Sequence, residues 1–543
     1  MIDFVRGKNM LTRLDLENFK AFKNPVSINL KPITLLFGQN SSGKSSILQS
    51  LYLLKQTLDY GHIDSPLLFQ VQNGLVDLGG FHQTVHDHDL CGSFSIRLDA
   101  EWQIDPGSSP VPLDVDWQEV KDQNTAGIEF TFSWEPNELD SSITEFGIHL
   151  GGKDAPVMRF IPVRMQDGTL HYFIAPPYSE EMTDFERSQL QVFRNQVEQS
   201  SEENGLEHET VSIAPVFREY DVNSACEKVC DYLDETRKSK RNKSIITFNE
   251  LSEPCSAAVE FLTSFNSLEY FFPGETVSSS QLYDVAGGLM SEISELAECR
   301  ANYFMQGYGS VACHWLYGAA LNLLEHLKCL RCLSPVRELP HRVYTICGAR
   351  EIGLKGEHLA EILLRQPEIL EQINHWLDRL DIGYAIEVHK LPVTISDYYE
   401  MRLMDLQKHN SPPVSVADVG IGVSQLLPII AQALSCKSSC ILVEQPELHI
   451  HPALQARLGN LFAESMKQNG NQFIIETHSE HLILRLQRLI RKKDLSNDQI
   501  GVYYASRGPN GCQVQELRLD EEGEFIDDWP NGFFAERLRE ILD

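Results

Sequence analysis

The sequence has little positive charge for its length. Its 543 residues include 46 Lys and Arg against 77 Asp and Glu, which gives a formal net charge of −31. Phosphate backbones are bound by clustered Lys and Arg, so the composition excludes a protein that binds nucleic acid over its whole surface. Two local clusters remain, the run RKSKRNK at residues 237–243 and the helically spaced Arg485, Arg488, Arg491, Lys492 and Lys493. Each is interpreted as a solvated surface or as a contact for nucleic acid or an acidic partner.

The sequence also lacks an apolar run long enough to cross a bilayer and an N-terminal secretory segment. We therefore expect a cytoplasmic protein with no membrane partner. Its 12 cysteines are more typical of buried thiols than of a disulfide framework. Cys329 and Cys332 have metal-like spacing, but the apolar run from Trp315 to Leu333 predicts a helix that places both on one buried face. Core thiols are favoured over a zinc site.

One stretch carries a complete nucleotide-binding pattern. Residues 38–46, GQNSSGKSS, fit G-x-x-x-x-G-K-[ST] at every specified position, after the apolar run ITLLF and before leucines at helical spacing. In such a loop backbone N–H groups and a helix N-terminus face phosphates, Lys44 reaches the β- and γ-phosphates, and Ser45 offers a hydroxyl to Mg²⁺. The predicted ATP-binding residues of the loop are Gly38, Asn40, Ser41, Ser42, Gly43, Lys44, Ser45 and Ser46.

A second cluster of motifs lies about 380 residues further on. The apolar run from Cys440 ends in Glu444, a carboxylate that could hold the Mg²⁺ with Ser45. A glycine- and serine-rich turn at residues 418–425 opens an apolar helix, which is a second candidate anion site. The run FIIETHS at residues 473–479 ends near His478, which could reach a γ-phosphate. A satisfied polar group at a strand end is the alternative for both Glu476 and His478.

The order of these motifs resembles that of the SMC- and RecF-like ATP-binding-cassette (ABC) ATPases, in which a long insertion follows the phosphate loop. More closely, VADVGIGVSQLLP at 416–428, EQPELHIHP at 444–452 and DWPNGFF at 528–534 resemble the defence-associated AAA-type branch. That branch includes the ATPase subunits of Septu and retron-associated anti-phage systems (the PtuA family), which work with an HNH nuclease. The resemblance covers both ends of the chain and hardly the middle.

The resemblance implies an α/β ABC-ATPase head, a mixed sheet with an antiparallel β-subdomain, carrying a large, mainly helical insertion. The expected domains are the N-terminal half of the head at 1–178, the insertion at 179–332 and the C-terminal half at 333–543. Two heads should dimerise head to tail around ATP. Each loop would then face the partner's turn at Gly420, Gly422, Ser424 and Gln425. Lys20 matches a family position that contacts nucleotide, and Gln83 matches the Mg²⁺-contacting glutamine poorly.

One departure from the family affects the expected rate. In most relatives a glutamate follows the Mg²⁺-binding carboxylate and activates the attacking water, whereas this chain has Gln445. An amide can orient water but cannot accept its proton at neutral pH. Glu447 can take over the role of that glutamate only if the turn after Glu444 brings its carboxylate into the site. We therefore expect tight ATP binding, slow hydrolysis and a long-lived ATP-bound dimer, with Gln445, Glu447 and His478 as candidate catalytic residues.

Three functions compete at this point. The first is an ATP-dependent scaffold for a separate effector, which the Septu resemblance implies to be an HNH nuclease, with nucleic acid or a retron ribonucleoprotein as a further partner at the basic clusters. The second is a RecF-like DNA-repair ATPase, which should carry a broad basic face that the acidic composition does not favour. The third is a self-contained nuclease with a Toprim domain, for which only about sixty residues follow Ser479.

Overall fold

The structure is a computed structural model that describes residues 10–60, 67–102, 125–136, 140–156, 158–164, 170–175, 322–391, 398–408, 412–509 and 511–530. The chain divides into two compact units. The first contains Asp15–Lys20 and Leu53–Leu327, and the second contains Lys8–Leu14, Ala21–Tyr52 and Lys328–Asp543. The basic run at 237–243, nearly all of the predicted insertion and the end of the DWPNGFF motif lie outside the described residues.

Seventeen strands are assigned in the described residues. They are β1 Leu11–Glu17, β2 Val26–Asn29, β3 Ile33–Gly38, β4 Ser93–Glu101, β5 Thr125–Glu135, β6 Asp140–Leu150, β7 Met158–Arg164, β8 Leu170–Ala175, β9 Leu330–Leu333, β10 Tyr344–Thr345, β11 Tyr384–Lys390, β12 Tyr398–Asp405, β13 Val414–Ser415, β14 Cys440–Glu444, β15 Gln472–Glu476, β16 Ile500–Gly508 and β17 Gly511–Glu516.

The helices that lie wholly within the described residues follow the same chain order. They are α1 Lys44–Tyr60, α2 Phe81–Thr84, α3 Leu359–Arg365, α4 Pro367–Arg379, α5 Ile421–Ser435, α6 Pro452–Asn469 and α7 Glu480–Arg491. Short 3₁₀ turns lie at His86–His88, Val416–Asp418 and Asn497–Gln499. Within the described residues no helix combines the length and apolar character needed to span a membrane.

The second unit is built on a six-stranded sheet with the strand order β17-β16-β3-β15-β14-β9. The central strand β3 is buried along its whole length and pairs in parallel with β15, where Ile33 lies opposite Phe473, and with β16. Only the β16–β17 pair is antiparallel. A strand buried on both faces requires a continuous apolar run, which ITLLF supplies. Since parallel strands end at the same edge, residues after β3, β14 and β15 meet there.

A smaller antiparallel sheet belongs to the same unit. Strand β12 pairs with β10, β11 and β13, and Ile386 of β11 lies opposite Leu403 of β12. Helix α4 covers it with Ile373 and Leu377, and the Asn374 side chain binds both the N–H and the carbonyl of Ile386. The apolar spacing of α3, α4, β11 and β12 is strong enough to define these elements locally.

The first unit contains an antiparallel meander of β4, β5, β6, β7 and β8. Its interior holds a buried ion pair in which Arg97 Nε and Nη2 donate to the two carboxylate oxygens of Asp99 at 2.8 and 2.7 Å. The predicted antiparallel sheet is therefore confirmed. Strand β1 pairs with β2, where the Leu30 N–H donates to the Thr12 carbonyl at 2.8 Å.

The prediction of a helix through Cys329 and Cys332 is wrong. The helix of this region ends at residue 328, and Leu330–Leu333 is an edge strand paired in parallel with β14, with Cys332 opposite Leu442. Local apolar spacing favours a helix here, but the pairing partner lies about 110 residues further along the chain and overrides it. Cys332 is a buried thiol and Cys329 is partly exposed.

Helix α3 holds the segment after β10 through one buried carboxylate. Glu361, which is 1% exposed, accepts hydrogen bonds from the Cys347 and Gly348 N–H groups at 3.0 Å each and from Arg365 Nη2 at 2.7 Å. Burial alone would raise the pKa of Glu361, but these bonds and the Cys347 thiol lower it to about 2. The ionised carboxylate therefore stabilises the fold.

We expect Glu361→Gln to destabilise this part of the second unit by about 1–3 kcal/mol at pH 7. The lower part of that range reflects the exposure of the surrounding Cys347 and Arg365. A carboxylate with a lowered folded pKa stabilises fully above the unfolded value of about 4.5, and this contribution is lost as the pH falls towards 2. Hydrogen exchange at the Cys347 and Gly348 amides measures the effect.

The control for this prediction is Glu368→Gln, which removes an exposed carboxylate from the start of α4. It should leave exchange at both amides unchanged. If Glu361→Gln also leaves exchange unchanged between pH 4 and 7, Glu361 does not hold this segment.

Candidate active site at the sheet edge

The predicted phosphate loop joins β3 to α1, and both of its motif glycines are required by the backbone. Gly38 has φ +145°, and a Cβ there would lie 2.2 Å from the Ala505 carbonyl oxygen. Gly43 has φ +92°, and a Cβ there would lie 2.9 Å from Phe22 Cζ. Any side chain at either position would clash in a conformation that L-residues rarely adopt. The strand, loop and helix predicted from the sequence are confirmed.

The loop presents polar groups that suit a phosphate. Lys44 is 3% exposed, and its ammonium donates to the carbonyls of Gly38 at 3.1 Å and Gln39 at 2.7 Å. The buried Ser42 hydroxyl has no hydrogen-bond partner within the described residues, whereas Asn40 and Ser41 are exposed. A buried polar atom without a partner is rare in native structures. Backbone N–H groups at the start of α1, Lys44 and the Ser42 hydroxyl together fit a bound phosphate.

The Ser45 hydroxyl bonds to a carboxylate that the sequence did not assign to the site. Ser45 Oγ donates to Glu476 Oε2 at 2.8 Å, and Glu476, at the end of β15, is buried. Strand β15 is the direct neighbour of β3, whereas β14, which carries Glu444, is one strand further away. Glu476 is therefore the carboxylate in contact with the loop, and its interpretation as an ordinary strand-end group is incomplete.

Glu444 lies beside Glu476 but has other partners. The two residues are in register on parallel strands, and the Tyr52 hydroxyl of α1 donates to Glu444 Oε1 at 2.9 Å. Burial raises the pKa of Glu444 to about 7, the Tyr52 hydrogen bond opposes this shift, and the negative charge of Glu476 adds to it. The predicted pairing of Ser45 with Glu444 is not a direct contact in this structure.

The turn after β14 brings Glu447 into the site. Its Oε1 accepts the His478 N–H at 2.6 Å and its Oε2 accepts the Thr477 hydroxyl at 2.7 Å. Gln445, with φ +42°, donates its N–H to the Glu476 carbonyl at 2.7 Å. Burial raises the pKa of Glu447, whereas burial and the charge of Lys44 lower the pKa of His478. The turn thus brings the Glu447 carboxylate to the end of β15, and its catalytic role stays a prediction.

The predicted glycine- and serine-rich anion site is the first turn of α5. Gly420 is exposed, has φ −57°, and a Cβ there would contact no heavy atom within 4 Å. A Cβ at Gly422 would lie 2.8 Å from the His449 carbonyl oxygen, so this turn packs closely on the loop after β14. The Ser424 hydroxyl donates to the Ile421 carbonyl at 2.7 Å within the helix. Gly420 is thus the most accessible of the four predicted residues.

Gln425 is buried, and its side chain forms hydrogen bonds within the second unit. Its Oε1 accepts the Arg337 N–H at 3.2 Å, and its Nε2 donates to the Arg337 carbonyl at 3.4 Å. The Arg337 side chain in turn donates to the Glu444 carbonyl at 3.0 Å and the Gln445 carbonyl at 3.3 Å. These contacts favour a structural link between α5 and the turn after β14 over a nucleotide contact for Gln425. No periodic pattern in the sequence pointed to a role for Arg337.

Burial lowers the pKa of Arg337 to about 10, and the nearby carboxylates of Glu447 and Glu444 oppose this. At neutral pH the guanidinium is charged. It is almost wholly buried, and its Nε has no hydrogen-bond partner within the described residues. Such a charge is stabilised by the Glu444, Gln445 and Pro335 carbonyls, the last at 3.1 Å, and by the carboxylates around it.

Two predicted residues, Lys20 and Gln83, lie in the first unit. The Lys20 N–H donates to the Thr84 carbonyl at 2.6 Å, and Phe19 forms a bridge with Val85 directly after α2. Lys20 is therefore hydrogen-bonded to the segment that carries Gln83. Gln83 itself is exposed and lies next to Gly79. Burial lowers the pKa of Lys20. Their contacts with nucleotide and Mg²⁺ stay predictions.

The basic cluster at the end of α7 is partly neutralised by acidic residues. Arg491 pairs with Glu524, and Lys493 Nζ lies 3.2 Å from Glu522. Arg488 and Lys492 are exposed, and the Arg485 side chain is half-buried. These pairs favour a solvated surface over a nucleic-acid contact.

The oxygen donors at the sheet edge fit a magnesium ion. Mg²⁺ prefers hydroxyl, carboxylate and phosphate oxygens and is usually held by one or two carboxylates together with substrate phosphates. Ser45, Glu444 and Glu476 supply one hydroxyl and two carboxylates. No cluster of three or more His, Cys, Asp and Glu arranged for a metal occurs within the described ranges. A cation here would therefore depend on this mixed donor set of one hydroxyl and two carboxylates.

Two family models match the sequence. The model "AAA ATPase domain" matches residues 10–254, and the model "AAA domain, putative AbiEii toxin, Type IV TA system" matches residues 347–485. The first match includes the phosphate loop, and the second includes α5, Glu444 and His478. No protein of curated function matches the chain. Similarity to AAA-type ATPase models is thus found on both sides of residues 255–346.

Solved SMC head domains are similar to the chain at low identity. The Smc head domain with an extended coiled coil from Pyrococcus furiosus, bound to the C-terminal domain of ScpA, matches at 10% identity and a TM-score of 0.34, covering 98% of this chain and 100% of that one. The Smc head domain with a coiled coil and joint from Pyrococcus yayanosii matches at 13% and 0.34, covering 98% and 100%. The SMC head domain from Thermotoga maritima matches at 10% and 0.32, covering 94% and 99%.

Proposed function

We propose that this chain is a Mg²⁺-dependent ATPase that closes as a head-to-tail dimer around ATP, hydrolyses it slowly and thereby controls a separate effector nuclease in anti-phage defence. The observation that carries the ATPase proposal is the meeting of Lys44 and Ser45 with Glu444, Glu447 and Glu476 at one sheet edge. The matches to AAA ATPase domains support it.

The chain's own residues have distinct roles in this proposal. Lys44 and the loop N–H groups bind the β- and γ-phosphates, and His478, kept neutral by burial, offers a hydrogen bond near the γ-phosphate. A Mg²⁺ ion held by Ser45 and the two strand-end carboxylates would neutralise phosphate charge. Glu447 is the candidate general base, since its carboxylate is fixed by two hydrogen bonds and burial raises its pKa. Gln445 can orient water.

In the proposed dimer, the first turn of α5 in one subunit faces the phosphate loop of the other subunit. Gly420 tests it well because a Cβ there would meet no heavy atom within 4 Å, the position is exposed and the φ of −57° suits any residue. We expect Gly420→Arg to fold normally and bind ATP as a monomer, but to block ATP-driven dimerisation. Mass measured by light scattering, with Mg²⁺ and ATP present and absent, checks this.

The matched control is Gln372→Arg, which adds the same charge on the exposed face of α4. Wild type and this control should double in mass when ATP is added. Equal dimerisation of the Gly420→Arg variant would contradict the proposed interface. Failure of wild type to respond to ATP would contradict ATP-driven closure.

The proposed control of a separate effector nuclease rests on the family resemblance at residues 416–428 and 444–452. The match to an AAA model described for a type IV toxin–antitoxin system is consistent with a defence role. Co-purification of the full chain with the product of the neighbouring gene tests it. A stoichiometric complex with an HNH protein would support the proposal, whereas tight binding of random duplex DNA with a steep salt dependence would favour the RecF-like alternative.

A further inference from the structure

The carboxylate nearest to the phosphate loop is not the one at the end of β14. In the strand order β16-β3-β15-β14, Glu476 lies one strand from β3, at about 4.8 Å between backbones, and Glu444 lies two strands away. Glu476 accepts the Ser45 hydroxyl at 2.8 Å. Any cation that uses the Ser45 oxygen is therefore next to Glu476.

The Glu476 backbone is fixed on both sides. It pairs in register with Leu36 of β3 and with Glu444 of β14, and its carbonyl accepts the Gln445 N–H at 2.7 Å. The next residue, Thr477, donates its N–H to the Leu36 carbonyl at 3.1 Å. The carboxylate is therefore held on the central part of the sheet and not on a mobile loop.

The site carries more negative than positive charge. Three buried or half-buried carboxylates, Glu444, Glu447 and Glu476, face two cations, Lys44 and Arg337. Three charges of −1 and two of +1 leave −1 at this edge when all are ionised. Carboxylates on neighbouring strands repel each other in a poorly hydrated setting, and a divalent cation between them would relieve that repulsion.

We infer that Glu476 is the second carboxylate of the divalent-cation site, beside Glu444 and Ser45, and that this pair allows the nucleotide-free protein to bind one divalent cation. The inference rests on the proposed Mg²⁺-dependent function and extends it. A site with a single carboxylate would depend on ATP phosphates to bring the cation, whereas two carboxylates and a hydroxyl bind it beforehand. Phosphate then joins a site that already holds its cation.

The experiment uses Mn²⁺ as the probe and electron paramagnetic resonance as the readout, with the full chain free of nucleotide. Wild type should bind one Mn²⁺ more tightly than its surface carboxylates do. Glu476→Gln, which keeps an oxygen to accept the Ser45 hydroxyl, should weaken this binding by roughly ten- to hundred-fold. Glu476→Asp should retain part of it. The exposed control Glu371→Gln should leave it unchanged.

Thermal unfolding gives an independent readout. Mn²⁺ should raise the unfolding temperature of wild type and of Glu371→Gln, but not that of Glu476→Gln. Unchanged Mn²⁺ binding in Glu476→Gln, or no specific Mn²⁺ binding by nucleotide-free wild type, would overturn the inference. If Glu476→Gln is unfolded before the cation is added, Glu476→Asp replaces it, and Mn²⁺ should raise its unfolding temperature by less than that of wild type; an equal rise would overturn the inference.

Nucleotide binding is measured in parallel so that the two proposals fail separately. If wild type binds Mg²⁺–ATP but Glu476→Gln keeps full Mn²⁺ affinity, the role of Glu476 is wrong and the proposed ATPase stands. If wild type binds Mn²⁺ through Glu476 but does not bind ATP, the cation site stands and the proposed function is wrong.

Discussion

Replacing Lys44 with alanine should lower the affinity for Mg²⁺–ATP by about a hundred-fold or more, which is about 2.7 kcal/mol. The ammonium is buried at the start of α1 and donates to the Gly38 and Gln39 carbonyls, so it is already held within the phosphate loop. Burial lowers its pKa, and the carboxylates of Glu476 and Glu447 oppose that shift. Alanine removes the positive charge but leaves both carboxylates, which would repel a triphosphate.

Equilibrium binding of a fluorescent ATP analogue measures this loss. The control Lys437→Ala removes an exposed lysine from the same unit and should bind as wild type does. Circular dichroism of the Lys44→Ala variant shows whether it is folded. A folded variant with wild-type affinity would contradict the assignment of this loop as the ATP site.

The second large effect is expected on hydrolysis. Glu447→Gln should lower kcat by about a hundred-fold or more with little change in ATP affinity, which is the range found for loss of a general base. The amide keeps an oxygen for the His478 N–H, and the Thr477 hydroxyl can reverse its role and accept, so the turn should be preserved. Single-turnover measurement of phosphate release at saturating ATP tests this expectation.

Gln445→Ala is the informative comparison, because an amide can orient water but cannot take its proton. It should reduce an already slow rate less than Glu447→Gln does, and the exposed Glu368→Gln should have no effect. Rapid turnover by wild type that Gln445→Ala abolishes and Glu447→Gln leaves intact would contradict both slow hydrolysis and the role given to Glu447.

The parts of the fold that could be predicted are those defined by local spacing. The bounds of β14 coincide with the apolar run from Cys440 to Glu444. The region of Cys329 and Cys332 could not be assigned this way, because a four-residue edge strand has no periodicity to separate it from the end of a helix. Its pairing with β14 is a tertiary contact that the local sequence does not contain.

In the candidate site, too, the features set by local sequence could be predicted, whereas those set by distant partners could not. The phosphate loop was predictable because its glycines and lysine have fixed spacing and chemistry. Glu476 was overlooked although FIIE repeats the pattern of CILVE, an apolar strand that ends in a carboxylate, and that repetition was the available signal. Arg337 and the buried orientation of Gln425 could not be predicted, since each depends on a partner about 90 or more residues away.

The position of β3 between β15 and β16 determines when the protein can fold during its synthesis. Ser45 and its partner Glu476 are 431 positions apart. At roughly 5–20 residues per second, the ribosome would release β15 about 20–90 s after β3. Through that interval the apolar strand Ile33–Gly38 has neither neighbour and is open to wrong pairing. Nascent chains should therefore depend on chaperones, and a gene split within the insertion should yield an N-terminal fragment that aggregates unless both halves are made together.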